Sequence, residues 1–135
     1  MAANECVPLY RGGHPDLTGH TTAAVTGGRF LAISGDIQSA PTTLATNADG
    51  GNIRVATAAA GAVSIGVAAY DAGSGTKVPI IRRGNVVPVI ADGAITAGGG
   101  IEVGATGKAK ALASGVRVGT AFTTAADGAT VYVEL

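Results

Sequence analysis

Turn signals that recur along the whole chain are the feature that most constrains how this sequence can fold. Glycine pairs and Asp-Gly or Gly-Asn steps follow one another at short intervals, which favours many short strands over long helices. Spacings of about ten residues are typical of an all-β sandwich or barrel. These signals include Gly12-Gly13, Gly27-Gly28, Gly35-Asp36, Asp49-Gly50-Gly51, Gly84-Asn85, Asp92-Gly93 and Asp127-Gly128.

Runs rich in Val, Ile and Thr fill the intervals between these turns, and such residues fit a pleated, half-buried surface. Alternation of apolar and polar residues is clearest near the end of the chain, at residues 130–135. Residues 57–70 are rich in Ala and permit a helix, but Gly61 and Gly66 favour a strand. We therefore predict strands at residues 29–34, 52–56, 62–69, 77–82, 85–91, 100–103, 116–121 and 130–135.

Two prolines fall inside predicted strands. Pro79 and Pro88 cannot donate a hydrogen bond to a neighbouring strand, so we expect their strands at sheet edges or bulges. A weak internal similarity is also present, since residues 66–80 and 119–133 both read as a strand, an Asp/Gly turn and a second strand. Duplication and chance agreement between two hairpins both explain it.

The length of 135 residues corresponds to one domain. Residues 1–28 contain few strand-forming runs, and we interpret them as an extended N-terminal arm with a first strand. Residues 29–135 then form the β domain, with an exposed loop at residues 42–51. The predicted fold class is all-β, a small single-domain β-barrel or β-sandwich with an extended N-terminal arm.

Composition limits the partners. Only 13% of residues are charged and the net charge is +0, so no basic face for nucleic acid is expected. Sparse charge together with 22 glycines is typical of a surface that other subunits cover, because small side chains lose little entropy on burial. Cys6 is the single cysteine, and the N-terminal residues lack the pattern of a secretion signal. No stretch is long and apolar enough for a membrane span, so no membrane partner is expected.

Catalytic and cofactor motifs are missing from the sequence. The glycine pairs lack the third glycine of a dinucleotide-binding loop, and Gly107-Lys108 lacks the remainder of a phosphate-binding loop. Ser64 misses the spacing of a nucleophile elbow by one position, with no histidine nearby in sequence. The sequence therefore predicts no enzyme activity and no cofactor.

Few side chains remain as candidates for chemistry or binding. His14, Asp16 and His20 could in principle ligate a metal, but a glycine- and proline-rich segment does not hold ligands in place, so we expect no metal site. Isolated acids are interpreted as turn formers that bond their own backbone: Asp36, Asp49, Asp71, Asp92 and Asp127. Arg82-Arg83 is the only adjacent basic pair, either a solvated strand end or a docking point for an acidic partner or phosphate.

Several segments together resemble the capsid decoration (cement) proteins of tailed phages, especially those that infect actinobacteria. The similarity extends over most of the chain, although the glycine run at residues 98–100 lacks the acidic residue expected in that turn. It is carried by Asn4-Glu-Cys-Val-Pro-Leu-Tyr10, Leu17-Thr-Gly-His through Gly-Gly-Arg-Phe-Leu31, Gly66-Val-Ala-Ala-Tyr-Asp71, Val78-Pro-Ile-Ile-Arg-Arg-Gly84, Ala94-Ile-Thr-Ala-Gly98 and Val103-Gly-Ala-Thr-Gly-Lys108.

This resemblance implies a β-rich virion protein that binds the outer surface of the icosahedral capsid and stabilises it. The implied partners are the major capsid protein and two further copies of the chain in a homotrimer, with synthesis in the cytoplasm of the host bacterium. We expect the arm to add contacts to the capsid or to a neighbouring subunit. The predicted contact residues are Leu9, Tyr10, Arg11, His14, Arg82 and Arg83. An alternative function is a surface-displayed glycan-binding module, although the chain has no Trp and few aromatic residues to stack on sugars.

Overall fold

The computed structural model describes residues 4–9, 17–37 and 53–135. Ten short strands make up the regular structure of these residues, so the predicted all-β class is confirmed. A single turn of 3-10 helix at Ala105–Gly107 interrupts the strands. The strands are β1 (Leu17–Thr21), β2 (Phe30–Ile33), β3 (Ile53–Thr57), β4 (Gly66–Ala68), β5 (Lys77–Ile81), β6 (Val86–Ile90), β7 (Gly100–Val103), β8 (Ala109–Ala111), β9 (Gly119–Ala121) and β10 (Thr130–Glu134).

The strands form two five-stranded sheets. The first is a closed barrel in the order β1-β3-β2-β4-β5, in which β5 pairs back onto β1. The second has the order β6-β10-β9-β7-β8. A parallel bridge between Ala91 and Ala109 joins the ends of the second sheet, so that it is nearly closed as well.

The two sheets repeat one topology. In the first, β1 lies parallel to β3 and the other pairings are antiparallel. If β6–β10 are matched in order to β1–β5, every strand pairing of the first sheet has an equivalent in the second. The parallel bridge between Ala91 and Ala109 is the equivalent of the parallel pairing of β1 with β3. Of the two explanations for the internal sequence similarity, the fold favours duplication.

Matching turns reinforce this relation. Each half contains an isolated antiparallel bridge, between Val25 and Ala72 in the first and between Ile95 and Ala125 in the second. Each of these four residues lies two positions before a turn. Each of the four turns that follow ends in a glycine with a positive φ, where a side chain is disfavoured. These glycines are Gly28 (φ 73°), Gly75 (φ 73°), Gly98 (φ 86°) and Gly128 (φ 79°).

The strands β4 and β9 also begin alike, on Gly66 and Gly119. A Cβ atom on either glycine would collide with the carbonyl oxygen at the end of the paired strand, of Ile81 in one case and Glu134 in the other. Glycine is therefore required at both positions by the close approach of the neighbouring backbone.

One of two hydrophobic clusters contains residues of both sheets. The interior of the first barrel is filled by its own residues, among them Leu31, Val55 and Ile80. Phe30, Val67 and Ile81 face away from that interior and pack into a second cluster with the apolar residues of the second sheet. Because the second sheet covers the outer face of the first barrel, the described residues form a single domain.

Most predicted strands are present, with shorter bounds. Residues 62–69 and 116–121 contain strands only at their ends, because the residues that precede Gly66 and Gly119 form the walls of a groove described below. Strand β8 was not predicted, and β1 is the first strand expected within residues 1–28, for which no bounds were predicted. Residues 57–70 contain no helix, and β4 lies within them as the favoured interpretation required.

The predicted edge position is correct for Pro88 and wrong for Pro79. Pro88 lies in β6, an edge strand of the second sheet, whereas Pro79 lies in β5, inside the closed barrel. The pairing of β4 with β5 stops at Ala68 and Ile80, one step before Pro79. Opposite Pro79 a single hydrogen bond remains, from the Ala69 N–H to the Pro79 carbonyl, because proline has no N–H to donate in return.

The N-terminal range 1–28 contains strand β1, which pairs with β3 and β5 of its own chain. Ahead of it, the N–H of Cys6 donates to Ala69 and that of Leu9 to Val86 of β6. In residues 4–9 and 17–22 the predicted arm is therefore bound by its backbone to strands of its own domain. Within the part of the chain that the structure describes, no helix is long and apolar enough to span a bilayer.

Candidate interaction groove

A groove of about 570 Å³ lies where the two sheets meet. One wall is residues 63–66, which lead into β4, and the other is residues 116–118, which lead into β9. Phe30 contributes to the lining from below, and Arg82 and Arg83 stand at the end of β5. The groove is open to solvent on one side, so it is suited to a surface partner and not to an enclosed ligand.

The two walls are equivalent segments of the duplicated fold. The sequence offset that relates Gly66 to Gly119 also relates Val63 to Val116 and Ile65 to Val118. The segments approach each other directly, since the Val116 N–H donates to the Gly61 carbonyl at 3.1 Å. The groove therefore exists because the chain contains two copies of the same strand start, set side by side.

The chemical lining of the groove is apolar and basic. Val63 and Val116 are 64% and 46% exposed. Arg82, Arg83 and Arg117 supply three guanidinium groups, and Arg117 stands where the other half has a serine. Of the residues described as lining the groove, none is acidic. The groove thus joins exposed apolar side chains with three basic side chains.

Glu102 holds the second wall in place from beneath. Its side chain is 4% exposed, and its Oε2 accepts hydrogen bonds from the N–H of Ala113 at 2.9 Å and of Gly115 at 2.7 Å. These two backbone hydrogen bonds lower the pKa of Glu102; burial opposes the shift, and Lys110, whose Nζ lies 4.0 Å from Oε1, adds to it. Glu102 is therefore ionised at neutral pH and fixes the loop that leads to Arg117.

The first wall is held by hydroxyl and backbone groups. The Ser64 Oγ donates to the Leu31 carbonyl at 2.9 Å and accepts from the Gly66 N–H at 3.1 Å. The Ile65 N–H also donates to the Leu31 carbonyl. Ser64 therefore has a structural role at this position, and both walls present fixed backbones to the groove.

The acids act at turns, but not as predicted. They tie one loop to another instead of bonding their own backbone: Asp71 accepts from the Gly27 N–H, Asp92 from the Ala105 N–H and Asp127 from the Gly93 N–H. The reason is that the duplicated sheets bring successive turns together, so a distant N–H lies closer than a local one. Asp36 has no such bond, and Asp49 lies outside the described residues.

The predicted contact residues fall into three groups. Arg82 and Arg83 line the groove, and Leu9 is 51% exposed beside β6. Tyr10, Arg11 and His14 lie outside the described residues. Val63, Val116 and Arg117 were not predicted, although an alignment of the two halves of the sequence would have paired the valines. Among residues 4–9, 17–37 and 53–135, no three His, Cys, Asp or Glu side chains form a group that could bind a metal.

Comparisons with protein-family profiles and with curated proteins find no match. Among solved structures, the chain is similar to the N base of the head fiber protein gp8.5 of bacteriophage phi29. The TM-score is 0.65 at 22% sequence identity, over 89% of this chain and 92% of that one. At this identity the similarity shows a shared fold, and it extends over almost the whole of both chains.

Proposed function

We propose that this chain is a structural protein of a phage virion that binds the outer surface of the icosahedral capsid and stabilises it as a decoration protein. The observation that carries the proposal is the fold, which matches the base of a phage head fiber over 89% of this chain. A head-fiber base and a decoration protein are both components of a phage head.

The described surface is consistent with attachment to a protein shell. Interfaces are enriched in arginine and depleted in aspartate and glutamate, and the described lining of the groove has three arginines and neither acidic residue type. Low overall charge reduces the desolvation cost of covering the remaining surface. We further propose that the chain acts as a homotrimer on the capsid, with the major capsid protein as its partner.

Binding to capsids lacking this protein tests the proposal. Expanded heads from a phage with this gene deleted are mixed with the purified chain, sedimented and imaged by electron cryomicroscopy. We expect co-sedimentation at saturating, regular stoichiometry and density of this two-sheet fold on the outer surface at threefold positions. Absence of the chain from the pellet, or density inside the shell, would contradict the proposed function.

A further inference from the structure

We propose that the groove between residues 63–66 and 116–118 is a docking site for an extended acidic segment of a partner protein, with carboxylates on the arginines and an apolar side chain between the two valines. The proposal deepens the proposed function, on which the identity of the partner rests. The groove chemistry itself is independent of any capsid.

Charge separation within the domain is the first argument. The carboxylates of Asp71, Asp92, Glu102 and Asp127 are already bound to backbone N–H groups at turns. The guanidinium groups of Arg82 and Arg83 have no hydrogen-bond or ion-pair partner among the residues that the structure describes, and that of Arg117 donates to the Thr120 hydroxyl. Four of the nine acidic side chains are therefore used internally, whereas the guanidinium groups at the groove remain available.

The shape and backbone of the groove favour a peptide. Guanidinium groups bind carboxylates through paired hydrogen bonds, and here they lie beside exposed valines, which a simple anion leaves uncovered. The backbone groups of Val63 and Arg117 form no hydrogen bond to any described residue. An extended segment satisfies such groups through its own main chain while its side chains alternate between the apolar and basic parts of the groove.

The second argument concerns rigidity. Ser64 fixes one wall through the Leu31 carbonyl, and Glu102 fixes the other through Ala113 and Gly115. A groove with both walls held loses little conformational entropy when a segment enters it. The site is thus prepared for a ligand before binding.

NMR titration of the full chain, observing the arginine Nε–Hε and valine methyl signals, tests the proposal. The probe is the peptide acetyl-Glu-Val-Glu-Val-Glu-amide, with the peptide carrying Gln in place of each Glu as a control and inorganic phosphate as a third titrant. We expect the acidic peptide to shift signals of Arg82, Arg83, Arg117, Val63 and Val116. The Gln peptide should bind at least about tenfold more weakly, because charge-assisted hydrogen bonds are lost.

Matched variants separate the groove from general electrostatics. Arg82→Ala with Arg83→Ala should weaken peptide binding at least about tenfold. Arg54→Ala with Lys77→Ala removes the same charge from exposed residues outside the groove and should leave binding within about twofold. Equal losses in both pairs, or phosphate binding as tightly as the peptide, would overturn the proposal.

Self-association is the remaining alternative and has its own readout. If the Val63 and Val116 methyl signals shift on dilution of the chain alone, a second copy occupies the groove and the proposal is wrong. The titration contains no capsid, so its failure leaves the proposed function standing. Failure of head binding likewise leaves a positive titration unaffected.

Discussion

The turn between β4 and β5 allows the cost of a left-handed backbone to be measured in isolation. Gly73 and Gly75 both lie in this exposed turn, and a Cβ added to either meets no atom within 4 Å. Gly75 has a φ of 73°, whereas Gly73 lies outside the positive-φ range. Replacing each glycine by alanine therefore gives two variants that differ in backbone conformation and not in packing.

The magnitude follows from this difference. Either substitution restricts the unfolded chain and so stabilises the fold by about 0.4–1 kcal/mol, a contribution common to both variants. Gly75→Ala also forces alanine into the left-handed region at about 1–2 kcal/mol. We expect Gly73→Ala to raise the free energy of unfolding slightly and Gly75→Ala to lie about 1–2 kcal/mol below it.

Urea denaturation of the two variants beside the wild type measures this difference. With a slope of about 1–3 kcal/mol per molar urea, the two midpoints should differ by roughly 0.3–2 M. Gly128→Ala, at the equivalent turn of the second sheet, should behave like Gly75→Ala, since its surroundings are also open. Coincident midpoints for Gly73→Ala and Gly75→Ala would refute the assignment of a left-handed turn.

Two further predictions concern the core and the groove wall. Phe30→Ala should lower the free energy of unfolding by about 3–5 kcal/mol, because Phe30 is fully buried between the sheets. The control Phe122→Ala, at a residue that is 48% exposed, should lower it by less than about 1 kcal/mol. Similar urea midpoints for the two variants would contradict the packing. Glu102→Gln should be less stable than wild type at neutral pH, because the folded pKa of Glu102 is lowered by its backbone hydrogen bonds. The stability difference should be fully present above the unfolded pKa of about 4.3 and disappear as the pH falls through the lowered folded pKa, as measured by urea midpoints between pH 2 and 7. A difference that is constant over this range would exclude the proposed role of the ionised carboxylate.

Local patterns explain why much of the fold could be predicted. The residues of β10 alternate between buried and exposed faces, and the sequence at Thr130–Glu134 shows the same alternation of apolar and polar residues. In contrast, the sequences of β1, Leu-Thr-Gly-His-Thr, and β8, Ala-Lys-Ala, show no clear alternation of large apolar and polar residues. Backbone pairing holds β1 to β3 and β5, which are distant in sequence, and β8 to the neighbouring β7, and the side chains of both strands carry little information about these pairings.

The groove was predictable only in part for a related reason. Arg82 and Arg83 attract notice because they are adjacent in the sequence. Arg117 is an isolated basic residue, and only the duplicated topology brings it across from them. Sheet order, including the parallel pairing of β1 with β3, depends on which strands meet in three dimensions and has no signature in a short window of sequence.

Closure of the first barrel has a consequence for the order of folding. Leu17 of β1 lies opposite Ile80 of β5, so this pairing joins the two ends of the first half of the chain. By comparison, the connections within the antiparallel pairs β4–β5, β7–β8 and β9–β10 span only five to eight residues. Contacts between nearby residues close smaller loops and form sooner. We therefore expect these three hairpins to act as folding nuclei, with β1 the last strand of its barrel to dock and amide protection at Leu17–Thr21 the last to appear during refolding.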